Sequence, residues 1–188
     1  MRHPEVFLVP LLLFLDYFLT IGGSKLAARK YNQHFKFESY ELNPLWQKTI
    51  AKGKWLNPKH LLIVVLTSLF CFIWADGWAE KSEVNEGVLG ALLTLYSVVL
   101  AAHVGNLMIF WRMVRKPDEV SGEVTLSHKY LLAMSRSRSL MPLFPIGMAA
   151  CLAPSPFLYG GLGALVMFNV IQAIWALNYR PKPSPEAT

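Results

Sequence analysis

Five long apolar stretches, residues 6–21, 61–75, 88–111, 140–153 and 157–177, are separated by short polar loops whose charge alternates in sign. No other feature constrains the fold as strongly. A hydrocarbon core of ~30 Å is crossed by about 20 helical residues. Two stretches reach that length and the others fall somewhat short of it. The expected fold is all-α, an integral membrane bundle of about five transmembrane helices. Its spans fall near residues 5–23, 59–75, 88–112, 128–153 and 157–178, within a single domain over 1–179.

Composition agrees with that reading. Hydrophobic residues make up 54% of the 188 and charged residues only 16%, which is too apolar for an ordinary soluble domain of this length. The net charge of +6 would suit a nucleic-acid partner. However, the basic residues flank the apolar runs, where they set topology and meet lipid headgroups, so no nucleic-acid partner is expected. The two cysteines, Cys71 and Cys151, lie inside apolar runs, and no C-x-x-C or Cys/His ligand spacing accompanies them. The opening run reads as a retained span rather than a signal peptide. Asp16 interrupts it, and no small-residue cleavage site follows.

The loops orient the bundle. Residues 24–59 carry Lys25, Arg29, Lys30, Lys36, Lys48, Lys52, Lys54 and Lys59 against Glu38 and Glu41. Residues 76–86 reverse the sign, with Asp76, Glu80, Glu83 and Glu86 against Lys81. Arg112, Arg115, Lys116 and Lys129 follow, and Arg180 and Lys182 mark the tail. Positive loops stay inside, so the protein is expected in the cell membrane as a multi-pass chain, N-terminus outside and C-terminus cytoplasmic. The proline-rich residues 180–188 are expected to be a disordered cytoplasmic tail.

Two Asn-Pro pairs punctuate the first cytoplasmic loop, each a cap residue before a proline at the first helical position. Asn57-Pro58 should open the second span. Asn43-Pro44 should open a short amphipathic interfacial helix near residues 44–52, ending at Gly53, with Trp46 and Lys48 at the lipid headgroups. The fourth span is expected to be kinked, because Pro142 and Pro145 interrupt its hydrogen bonding. Arg136 and Arg138 upstream should snorkel to the headgroups.

Polar residues inside spans are the candidate site, since lipid does not tolerate them unpaired. Asp16 and Thr20 are four apart and share a face of the first span. His103 and Asn106 are three apart in the third span, and Asn169 and Gln172 three apart in the fifth. His103 is the best partner for Asp16. Both lie on descending spans, with a depth offset of roughly 7 Å at 1.5 Å rise per residue. Gly160, Gly161 and Gly163 permit close helix approach. No pair of in-span histidines at haem-ligand spacing and no H-E-x-x-H motif occurs, so the sequence assigns neither cofactor nor metal.

Asp16 and Thr20 in D-x-x-x-T, the pair Gly22-Gly23, and then Glu41, Asn43 and Pro44 in E-x-N-P form a compound motif. It resembles the signature of a family of small bacterial and archaeal multi-pass membrane proteins of unknown function. Leu42 stands where that family has a small residue, and the basic stretch 27–40 sets the two halves further apart. The resemblance implies one polar cluster of Asp16, Thr20, Glu41 and Asn43 at the cytoplasmic end of the first span, and no activity.

For function the sequence favours a non-enzymatic subunit or binding module of a membrane assembly. Its partners would be membrane lipids and another membrane protein or a second copy. A small ion-coupled transporter using Asp16 and His103 is one alternative. An intramembrane enzyme on a lipid-like substrate, using Glu41, Asp16 and His103, is the other.

Overall fold

A computed structural model describes residues 7–29, 34–37, 40–77 and 82–179. Residues 5 and 6 of the first expected span and the expected tail lie outside them. In chain order the elements are α1 (Leu8–Ala27), β1 (Phe35–Phe37), α2 (Gln47–Ala51), α3 (Pro58–Gly77), α4 (Ser82–Arg115), a 3-10 turn (Pro117–Glu119), β2 (Val124–Leu126), α5 (His128–Leu140), α6 (Leu143–Leu152) and α7 (Pro156–Asn178). The fold is all-α. Its one small sheet among the described residues joins β1 and β2 in parallel, Lys36 opposite Thr125.

Local chemistry explains the helix starts. Asn57 Oδ1 accepts the Lys59 backbone N–H ahead of α3 at 2.9 Å, as expected of an Asn-Pro cap. Ser155 and Pro156 do the same for α7, with Ser155 Oγ accepting the Leu158 N–H. Asn43 Oδ1 accepts the Leu45 N–H at 3.0 Å. The helical bonds of that segment begin at the Asn43 carbonyl, which accepts from Trp46 and Gln47. The regular helix α2 is nevertheless only five residues long. Gly53, at φ +59°, ends it in the left-handed region that glycine enters without strain.

The fourth expected span is two helices. Pro142 and Pro145 lack the N–H groups that would carry the ladder across the junction. Met141 and Pro142 stay helical in φ and ψ, with Met141 N–H bonded to the Ser137 carbonyl and Ile146 N–H to the Pro142 carbonyl. The proline pair therefore makes a bend in a continuing path.

That bend corrects the expected count. Among the described residues three helices, not five, are long and apolar enough to cross a membrane: Leu8–Ala27, Glu83–Arg115 and Pro156–Asn178. Neither half of the broken fourth run has the length, and the apolar part of the second, Pro58–Ile73, is shorter. By contrast α4, at 34 residues, runs about 50 Å at 1.5 Å per residue.

Packing centres on α4, which lies against α7 over its most extensive interface and against α1 on another side. α5 and α6 both rest on α7, and α3 rests on α1. Glycine makes the α4–α7 crossing. A Cβ at Gly90 would strike the Phe157 carbonyl, and one at Gly160 the Gly87 carbonyl. Gly163 meets nothing. Apolar packing joins Val9 and Leu13 to Val64, Tyr17 and Ile21 to Ile50, and Ala27 to Phe110.

Candidate functional site

α1 presents Asp16, Tyr17 and Thr20 within about one turn; Asp16 and Thr20 meet α4, and Tyr17 meets the loop before α3. Asp16 Oδ1 stands 3.1 Å from His103 Nε2 on α4. Thr20 Oγ1 is 3.2 Å from the same nitrogen. The Thr20 hydroxyl donates to the Asp16 backbone carbonyl at 2.8 Å. With its single hydrogen used there, Thr20 can only accept from His103. The ring hydrogen that both contacts require is therefore on Nε2. Nδ1 is buried with no partner among the described residues.

Tyr17 fixes the level of this group against the loop. Its hydroxyl donates to the Lys54 carbonyl at 2.6 Å, and its ring stacks on His60, 4.2 Å between centroids. Trp46 meets the same His60 edge-on, and Lys25 Nζ lies 4.2 Å over the Trp55 ring. Residues 46–60 thus wrap α1 from Phe14, which His60 also meets edge-on, toward its C-terminal end. Asp16 lies within that wrap.

Glu41 enters from the same loop. Its Oε1 accepts the Asn43 N–H at 2.8 Å. Burial pushes its carboxyl above the ordinary 4.5, the Asn43 N–H and the nearby His103 oppose the shift, and the negative charge of Asp16 adds to it. Glu41 is therefore in electrostatic reach of both members of the pair. A group held above its unfolded value keeps its proton in the folded chain where the unfolded chain has lost it. Stability should fall as pH rises from about 4.5 through the folded value. Glu41→Gln keeps an oxygen acceptor for Asn43 and cannot ionise. Thermal unfolding should show it losing that pH-dependent fall and melting above the parent at neutral pH. A parent whose stability rises over the same window would contradict this placement of Glu41.

A second polar group lies between α5 and α7. Ser139 Oγ is 3.0 Å from Asn169 Oδ1, Asn169 Nδ2 donates to the Leu165 carbonyl, and Gln172 Nε2 donates to Ser135 Oγ at 3.1 Å. Arg138 reaches across to α4, its Nη1 donating to Asn106 Oδ1 at 2.9 Å.

The six in-span residues singled out by sequence therefore fall into separate places. Asp16, Thr20 and His103 meet; Asn106 pairs with Arg138; Asn169 and Gln172 of α7 pair with serines of α5. Glu41 joins the first group, Asn43 caps its own turn, and Pro44 is exposed. Lys48 is exposed, whereas Trp46 turns inward to His60 and the Tyr17–Ile21–Ile50 cluster. Arg136 lies on α5, half-buried. Sequence reasoning missed Tyr17 and His60, and it read the Ser/Arg run Ser135–Ser139 as an interfacial anchor or a seat for an anionic headgroup, not as the partner of Asn169 and Gln172. The serines carried a signal, being four apart on α5 and so on one face. Tyr17 and His60 carried none, because their stacking depends on the loop's return.

Chemically, a carboxyl, an imidazole and a hydroxyl joined between two helices can hold the helices together or hold a proton between them. Among the described residues, no group of three or more His, Cys, Asp or Glu side chains could hold a metal. No protein-family model, curated protein or solved structure matches the chain.

Proposed function

We propose that the chain is a multi-pass protein of the cell membrane, acting as a non-enzymatic subunit or binding module of a membrane assembly. One observation carries the reading: its polarity runs opposite to that of a soluble fold. Thr20, Ser139, Asn169 and Gln172 are buried among the helices, while Val65, Phe70, Phe72 and Ile73 of α3 and Met167 and Val170 of α7 are more than half exposed. An apolar surface of this extent belongs against lipid or another apolar protein.

The proposal restores the five passages. α5 and α6 cross as one bent rod, and α3 crosses beside α1. Pairing of β1 with β2 supports a common face for the first and third polar loops, the face that the lysines and arginines mark as cytoplasmic. The proximity of Asp16, Thr20 and Glu41 supports the resemblance to the family with the D-x-x-x-T and E-x-N-P motif. Since Asp16 is level with the loop that holds Tyr17, we place it near the cytoplasmic boundary rather than at mid-membrane.

The carrier reading stands second, on the Asp16–His103 pair with Glu41 beside it. Proteins retained with the chain in mild detergent would identify the assembly. The topology has its own test in cells. Cysteine at Glu83 should react with an impermeant maleimide from outside, and cysteine at Lys48 only after the cytoplasmic face is opened. Reaction of both from one side would reject the five-passage arrangement.

A further inference from the structure

The bend between α5 and α6 holds an open groove of about 500 Å³, lined by Ala133, Arg136, Ser137, Leu140, Met141 and Phe144. Two observations make it more than an exposed patch. First, Nε of Arg136 is shielded from solvent and has no hydrogen-bond partner among the described residues. The side chain lines the groove, where its other N–H groups can reach an acceptor outside the chain. Second, the carboxylates of Asp16, Glu41, Glu119 and Glu123 are engaged elsewhere and none of them meets Arg136. Asp16 faces His103, Glu119 takes Arg112 and Lys116, Glu123 takes Lys36, and Glu41 takes the Asn43 N–H. Arg138 is turned to Asn106.

The groove is also polarised along its length. Lys129, Ala133, Arg136, Leu140 and Phe144 follow one another at spacings of three or four, so they form a single stripe. Lys129 stands in the first turn of α5 and Arg136 in its third, with the bulky apolar members Leu140 and Phe144 at the bend. From Arg136 to Phe144 the stripe descends about 12 Å at 1.5 Å per residue. Met141 and Phe144 are 67% and 78% exposed. A ligand with a phosphate at one end and hydrocarbon at the other matches this order, and Lys129, outside the groove about 10 Å up the same helix at 1.5 Å per residue, adds positive potential that favours a headgroup of net negative charge.

We infer that the α5–α6 bend is a binding site for an anionic glycerophospholipid. The Arg136 guanidinium and the Ser137 hydroxyl take the phosphodiester, and an acyl chain lies over Leu140, Met141 and Phe144. The inference rests on the membrane reading above and assigns one lipid class to one place on the surface.

The test uses the full chain in detergent, with native mass spectrometry and thermal unfolding after addition of dioleoyl phosphatidylglycerol, dioleoyl phosphatidylcholine or inorganic phosphate. Phosphatidylglycerol should be retained and should raise the unfolding temperature; the other two should do neither. Arg136→Gln should weaken phosphatidylglycerol binding about tenfold or more, the loss of one charge-assisted contact. Lys36→Gln, at a cation already paired with Glu123, should bind as the parent does. Because Arg136 is half-buried, Phe144→Ser gives an arm that leaves the bundle intact, and it too should lose retention. Equal response to phosphatidylcholine, or to phosphate alone, would overturn the site. So would parent-like retention by Phe144→Ser. A chain that stays soluble and folded without detergent would instead refute the membrane reading itself.

Discussion

Replacing Gly90 with leucine is expected to lower stability by about 3 kcal/mol or more, at or beyond the top of the usual range for overpacking. The obstacle is backbone. Even a single Cβ at Gly90 would meet the Phe157 carbonyl, and one at Gly160 would meet the Gly87 carbonyl. A flexible side chain can swing away from an added carbon, but a helix backbone can yield only by moving the helix. At this crossing that means parting α4 from α7, the most extensive interface in the fold. Small residues let membrane helices approach closely, and close approach is what their packing depends on. Gly163→Ala is the control. Nothing lies within 4 Å of its added Cβ, and alanine in a helix is worth roughly 0.5–1 kcal/mol over glycine, so that variant should equal or exceed the parent. Thermal unfolding in detergent decides the matter. A Gly90→Leu protein that melts with the parent would mean the two helices are not in close contact.

That crossing also shows what a sequence can and cannot reveal about such a fold. Gly160 and Gly161 stood out as a small-residue patch on one run, but Gly87 and Gly90 gained meaning only once α7 was laid across them. Helix starts were readable because their cause is local: Asn57 accepts a backbone N–H two residues on, and the residue pair announces it. The bend at Pro142 was readable for the same reason. Its consequence, two helices each too short to cross alone, follows from where the ladder breaks. The pairing of β1 with β2 had no local signal. It joins segments on either side of three helices, and a three-residue strand does not advertise its partner. The company Asp16 keeps had no local signal for a related reason: the loop that returns to Tyr17 and stacks His60 on it brings polar backbone up to that level.

The pair at that level should be energetically coupled. Asp16→Asn and His103→Gln are each expected to lower stability by about 2 kcal/mol. This is below the 3–5 kcal/mol of a fully buried broken pair, because the side chains retain 31% and 20% of their exposure. Each single variant leaves one polar group facing a neutral amide in place of its ionisable partner. The double variant removes both at once, so its loss should be less than the sum, with a coupling of about 1–2 kcal/mol within the range for directly contacting residues. Thr20→Val should cost less than either, since Asp16 still meets His103 when the hydroxyl is gone. Strict additivity of Asp16→Asn and His103→Gln would mean that the 3.1 Å contact contributes nothing. The same variants divide the two functional readings. If the pair is an interlock within a membrane subunit, lost stability and lost association should track each other. An Asp16→Asn protein that keeps its stability and its partners yet no longer moves protons into sealed vesicles would put the carrier reading first.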